Sequence, residues 1–457
     1  MRKKVTAIFD IGKTNKKFFL FDENFQEVYR EYIRFDEIED EDGYPTENLD
    51  ALQKWLKELF NRILDAKEYD IKAINFSTYG ASFVHIDEHG EVLTPLYNYT
   101  KPFDDDLSEF FYKKYGPELE FTRKTGSAKS GMLNSGLQLI WLKNKKPEIF
   151  KKIKYSLHFP QYLSFIFTGI PVSEYTSIGC HTALWDYDKK DYHDWVYQED
   201  IYKILPTIVS TETSINMNYN GKRIRIGVGI HDSSSALLPY VRSLKKPFIL
   251  VSTGTWSVTL NTFSDKMLTK ENLQDNCINY MRIDGRPVKA SRIFLGNEYK
   301  FQVEKLLAYF NHPEDYHRTV KFNYETYIKI NQNFEHHYKW ISLVDENMPT
   351  ETKIPYAIFE DAYHHLMMEL VILQVQNIKI AIGNQEIKRL YVDGGFSNND
   401  IYIQLLSHYL RGMKLKTTDS SLGSALGAAI AISDCKLNSK FLKKNYSLKK
   451  HIPFIIK

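Results

Sequence analysis

Cysteine is scarce in this chain of 457 residues: Cys180, Cys277 and Cys435 are widely spaced and odd in number. That excludes a disulfide-stapled scaffold. An excess of charge is also missing, since 60 Lys and Arg face 57 Asp and Glu for a net +3. That near-balance gives no reason to expect nucleic-acid or membrane-surface binding, which usually needs a concentrated basic patch. No run approaches the ~18 apolar residues of a membrane span, Ala425 to Ile432 being taken as the nearest. Met-Arg-Lys-Lys and a few apolar or small residues before Asp10 lack the long apolar stretch and cleavage site of a secretory leader. The adjacent pairs His336-His337 and His364-His365 do not face one another on a helix, so no metal cage is expected from them. The expectation is a cytoplasmic protein without nucleic-acid or membrane partners.

What is present is an ordinary globular mixture, 43% hydrophobic and 26% charged, with aromatics at 14% and so ample for large cores. The length fits two or three domains. Val5 to Phe9, Lys17 to Phe21 and Val28 to Phe35 read as strands, and Asp10-Ile-Gly-Lys-Thr-Asn-Lys16 as a polar turn between the first two. Leu49, Leu52, Leu56, Leu59 and Ile63 fall at helical spacing, so 49–66 is an amphipathic helix, followed by a strand over 71–76. Residues 100–220 read as an aromatic-rich, mainly helical insertion, and Arg223 to Ile230 as the next strand.

The opening pattern then recurs. Phe248 to Ser252 is a strand, Thr253-Gly254-Thr255 a glycine turn and Ser257 to Asn261 a returning strand. A hairpin at Asp284-Gly285, helices over 296–309 and 357–380, a strand over 387–392, a helix over 399–411, a strand over 413–417 and a small-residue helix over 421–434 follow. The Lys-rich tail 436–457 reads as a solvated face. The organisation is α/β, with domains 1–242 and 243–457 divided in the stretch from Pro239 to Pro247.

Four segments carry chemistry. Gly12 in its turn lets backbone N–H groups approach a phosphate, with Thr14 and Asn15 adding donors and Lys13 and Lys16 adding charge. Asp10 at the strand end suits a hydrated Mg²⁺ that bridges nucleotide phosphates. The same residues would also serve an ordinary hairpin. Thr253-Gly254-Thr255 makes a matching turn, and two facing hairpins would grip a triphosphate from both sides. His231-Asp232 ends a strand and opens a helix, where a carboxylate can accept the proton of an attacking hydroxyl or simply cap the helix. Gly394 and Gly395, within Asp393-Gly-Gly-Phe-Ser-Asn398, leave room for a flat ring to lie against the backbone.

The order Asp-x-Gly-x-Thr, His-Asp, Ser-Thr-Gly-Thr-Trp and Gly-Gly-x-Ser-Asn resembles the FGGY carbohydrate kinases, of the actin, heat-shock ATPase and sugar-kinase superfamily. Ser77 to Asp87, His231 to Ala236 and Ser252 to Ser257 are similar to segments of its rhamnulokinase-like members. The resemblance implies two ribonuclease-H-like domains hinged over a cleft and ATP-dependent phosphorylation of a sugar hydroxyl. The sugar would be a deoxy-ketose such as L-rhamnulose, with L-fuculose and xylulose as alternatives and a sugar-independent ATPase as the rival class. It implies Asp232 as general base, and Gly80, His231, Ser233 and Asn297 as sugar contacts. Lys13, Thr14, Asn15, Lys16 and Lys17 would form the first phosphate loop, Thr255 the second, and Gly394 with Gly395 the adenosine site. ATP, Mg²⁺ and a small sugar are the implied ligands, for a monomer or homodimer. Ser82 departs from the family by replacing an acidic residue in the sugar-facing stretch.

Overall fold

The computed structural model describes residues 2–343, 348–419 and 422–455. Its frame is a pair of seven-stranded sheets built to the same plan. The first contains β1 (Lys3–Ile11), β2 (Lys16–Asp22), β3 (Glu27–Ile33), β4 (Tyr69–Thr78), β5 (Ser214–Tyr219), β6 (Lys222–Gly227) and β7 (Ile230–His231). Its order is β5-β6-β4-β1-β2-β3, with β7 beside the end of β4. The central strand β1 pairs antiparallel with β2 on one side and parallel with β4 on the other. Between them in sequence, helix α1 (Leu49–Asp65) buries Leu52, Trp55, Leu56, Leu59, Phe60 and Ile63 along one stripe. Asn48 caps it by accepting from the Ala51 N–H.

The second sheet repeats this around β8 (Ile249–Thr253), which pairs antiparallel with β9 (Ser257–Asn261) and parallel with β12 (Arg389–Gly394). The remaining strands are β10 (Cys277–Met281), β11 (Pro287–Ile293), β13 (Lys414–Thr417) and β14 (Lys449–Lys450), in the order β10-β11-β9-β8-β12-β13-β14. The chain crosses between the sheets through helix α2 (Asp232–Ser243).

Alternation along the strands decides what each face meets. On β9, Ser257 and Thr259 hydrogen-bond to Gln374 and Asn377 of helix α3 (Phe359–Ile382), while Leu260 faces the opposite side. Helix α3 is the described helix apolar and long enough to match a membrane span, rather than 425–432; it is mostly buried in the second core. A shared core joins the sheets: Ile8 and Phe19 meet Leu250, Leu260 and Tyr391 through α2 and the small-residue helix α4 (Gly423–Ala431). These helices pack so closely that a Cβ on Gly427 would stand 1.8 Å from the Ser235 carbonyl oxygen. The Asn75 side chain on β4 donates to Ala428 O at 2.8 Å and accepts from Gly229 N at 3.0 Å.

Two regions differ from expectation. Residues 100–220 do contain helices, over 105–115, 118–125, 135–145 and 159–168, but they also give short strands and the edge strand β5. Their core is separate and rich in large rings, including Trp141, Trp185, Trp195, Phe111 and Phe121. The Lys-rich tail is structural rather than a solvated face. Leu442 and Tyr446 are buried, β14 extends the sheet, and the Phe454 ring stacks on His408 at 4.1 Å. Positions 420 and 421, where the last helix is expected to begin, and the tail's final residues 456 and 457 lie outside the described residues.

Candidate active site

The first hairpin closes as its glycine suggests: Gly12 N donates to Asn15 O at 3.0 Å. Pairing of β1 with β2 sets Lys17 opposite Asp10, with Lys17 Nζ 3.8 Å from Asp10 Oδ2. Ser424 of α4 donates to the same oxygen at 2.9 Å. Burial still pushes the Asp10 carboxyl above the usual carboxylate range; Lys17 and Ser424 oppose the shift and Asp232 adds to it. Asp10 and Asp232 therefore share an electrostatic neighbourhood.

Lys16 departs from expectation. Its ammonium is buried in an ion pair with Glu47 at 2.8 Å and donates to Lys13 O, so it braces the hairpin from behind. Lys13 pairs with Glu37 at 2.5 Å, and Thr14 is exposed at the tip. Asn15 accepts from Arg34 through its side-chain oxygen.

The second hairpin and the double glycine form one unit. Gly254 N donates to Trp256 O at 2.9 Å. Thr253 is buried; its hydroxyl donates to Asp393 O and accepts from Phe396 N at 3.0 Å, so it ties the two loops together. Gly394 has φ +81°, and a Cβ there would lie 1.9 Å from Thr253 O. Only glycine fits at that contact. Gly395, by contrast, opens onto free space. A cavity of about 580 Å³ lies here, lined by Gly254, Thr255, Gly296, Tyr299, Gly395 and Phe396.

A second cavity, of about 280 Å³, is lined by Asp232, Ser233, Ser252, Tyr280, Asp393 and Ser424. Asp232 is the first residue of α2, where a carboxylate also complements the helix dipole. Its side chain remains 36% exposed and so open to a ligand. Ser233 Oγ donates to Asp232 Oδ1 at 3.1 Å, and His231 Nε2 stands 3.4 Å from the same oxygen. The buried His231 Nδ1 has no partner among the described residues. A Cβ on Gly80 would come within 2.9 Å of the His231 ring, so glycine at 80 makes room for that imidazole.

Asn297 lies beside the second hairpin. Its N–H donates to Thr255 O at 3.1 Å and its side-chain amide reaches Ser342 at 3.5 Å, which places it at the second hairpin.

Several residues escaped the sequence reading. His181 packs edge-on to Tyr280, which also meets His231, and burial followed by the charge of Arg292 holds the His181 imidazole down at about 3. Cys180 and Tyr280 feel both Asp232 and Arg292. Arg292 on β11 pairs in register with Val258 and approaches the exposed Trp256 ring at 5.7 Å. Its buried Nε has no partner among the described residues. Only Trp256 had a signal, as the last residue of the Ser-Thr-Gly-Thr-Trp motif.

This fold is that of sugar kinases built from two actin-like halves. A crystal structure of a carbohydrate kinase from Novosphingobium aromaticivorans superposes with TM-score 0.78 at 21% identity, covering 99% of this chain and 95% of that one. Ligand-bound xylulose kinase from Lactobacillus acidophilus gives 0.75 at 17% identity, covering 99% and 94%. The profile described as the FGGY family of carbohydrate kinases, N-terminal domain, matches residues 5–233, and the chain belongs to that family. Rhamnulokinase from Halalkalibacterium halodurans is 26% identical over 262 residues, 54% of each chain. Rhamnulokinase from Oceanobacillus iheyensis is 26% identical over 204 residues, 42% of this chain and 41% of that one. The chain spans about half the length of these curated relatives.

Proposed function

We propose that the protein transfers the γ-phosphoryl group of ATP to a hydroxyl of a small sugar, with Asp232 as general base. The observation that carries this reading is the Asp232 carboxylate, open to a cavity shared with Ser252 and Ser424 beside a larger cavity lined by the glycine loops. ATP would place its adenosine against Gly395 and Phe396 and its phosphates towards Thr255, Gly254 and the first hairpin, where Lys17 and Lys13 supply charge. Two domains, 1–242 and 243–457, would close over it and exclude water, the competing acceptor.

The sugar would lie against His231, Ser233 and Gly80, near the buried His231 Nδ1 and Arg292 Nε, which have no partner among the described residues. As the hydroxyl oxygen bonds to the γ-phosphorus, its proton passes to an Asp232 oxygen and the bond to the departing ADP oxygen breaks. Ser233 and His231 hold that carboxylate in place. No cluster of three or more His, Cys, Asp or Glu forms a protein cage for a metal among the described residues. Asp10, beside Asp232, suits a hydrated Mg²⁺ carried on the phosphates instead. When bound, that ion neutralises phosphate charge. A deoxy-ketose of the L-rhamnulose type is the first acceptor to test, as the rhamnulokinase relatives suggest, with L-fuculose and xylulose next.

The test is ADP release with Mg²⁺·ATP across a panel of ketoses and aldoses. One sugar should raise turnover well above background, and Asp232→Asn should lower kcat by roughly 10²–10⁴-fold with little change in KM. Turnover that no sugar stimulates would overturn the proposal.

A further inference from the structure

Outside the candidate active site, uncompensated positive charge gathers in a groove of about 530 Å³ between the end of α2 and strands β12 and β13 of the second sheet. Its lining includes Arg242, Lys245, Lys246, Arg389, Lys414 and Lys416, without a single Asp or Glu. Arg242 is neutralised by Glu212. Among the described residues, the other five take part in no ion pair.

Strand register explains the convergence. On the parallel pair β12 and β13, Arg389 stands beside Lys414 and Tyr391 beside Lys416. Residues two apart on a strand share a face, so all four project together. The antiparallel partner β14 sets Lys450 beside Lys416. Lys245 and Lys246 close the groove from the segment after α2. The Lys416 ammonium is pushed below its usual range by burial, then by repulsion from Arg389, Lys450 and Lys414. Among the described residues, the Tyr391 ring, 5.8 Å away, offers it compensation. Gathering like charges in a concavity costs energy that a bound anion would recover.

We propose that this groove binds a small soluble anion carrying two or more phosphoryl groups. Its volume suits a small molecule rather than a polymer tract. The arginine supplies a fork for phosphate oxygens and the lysines supply point charges. The same elements lead to the active site. Helix α2, 12 residues and about 18 Å long, begins at Asp232 and ends at the groove. Strand β12 begins at Arg389 and ends at Gly394. The proposal does not depend on the kinase reading.

Titration calorimetry with inorganic pyrophosphate tests it on the full chain. Wild-type protein should bind saturably, and the exposed double variant Lys245→Glu/Lys246→Glu should bind at least about tenfold more weakly at an unchanged Tm. A second variant, Lys414→Gln/Lys416→Gln, should weaken binding in the same direction. Because the active site is intact in both variants, equal affinity in wild type and variants would assign the binding elsewhere and overturn the proposal. So would absence of saturable binding at millimolar pyrophosphate, or tighter binding of a single-stranded RNA than of pyrophosphate to the same lysines.

Discussion

Ser424 and Asp10, 414 positions apart, are joined by a hydrogen bond of 2.9 Å from hydroxyl to carboxylate. Ser424 also lines the cavity that holds Asp232, and Ser235 Oγ of α2 donates to the Ser424 carbonyl. The acidic end of β1 and the helix carrying the proposed base are thus tied to one turn of α4.

The two neighbouring glycines of the second loop should behave oppositely. Gly394→Ala forces a Cβ against Thr253 O in a backbone conformation that side chains avoid, so a clear fall in Tm is expected. Gly395→Ala meets open space, so Tm should hold while the added methyl enters the cavity and raises KM for ATP. Thermal melts and initial-rate kinetics on the two variants check this. Equal Tm values would refute the assignment of strain to Gly394.

Lys16 should matter for stability. Lys16→Met leaves the Glu47 carboxylate buried without its cation, a loss of about 3–5 kcal/mol in chemical denaturation. Adding Glu47→Gln should restore part of that stability, because the stranded charge is gone. A fully soluble, equally stable single variant would refute the bracing role.

Buried histidines set an acid limit. Burial holds His85, His158 and His181 down at about 3, so the folded protein keeps them neutral while the unfolded chain takes up protons from about pH 6.5 downward. Their stabilising contribution is present above that pH and is lost as pH falls from 6.5 towards 3, by about 1.4 kcal/mol per pH unit for each proton. Denaturation midpoints between pH 7.5 and 5 should fall with acid, and His85→Gln should flatten the slope. An unchanged slope in that variant would rule out His85 as a contributor.

Much of this architecture can be read from short-range pattern. The alternation in Val5 to Phe9 and the stripe from Leu49 to Ile63 fix β1 and α1 to within a few residues, and glycine turns mark both hairpins. What escaped depends on partners far off in the chain. Glu47 converts Lys16 from a phosphate ligand to a brace, and nothing near residue 16 announces it. Arg292 belongs to the candidate site only because β11 pairs with β9. The tail reads as polar by its lysines, yet Leu442, Tyr446 and Phe454 decide its place. The histidine pairs do not face each other as neighbours, but His336 and His365, from separate segments, both meet the buried Glu369 at 3.1 Å.

The contact at Gly427 has a mechanical consequence. With backbone against backbone at Ser235, the two helices leave no room there for a side chain between them, so in the proposed closure the pair would act as a fulcrum. Opening and shutting of the molecule would then swing around a stiff axle that passes within a few residues of Asp232, leaving the base nearly stationary while the jaws travel.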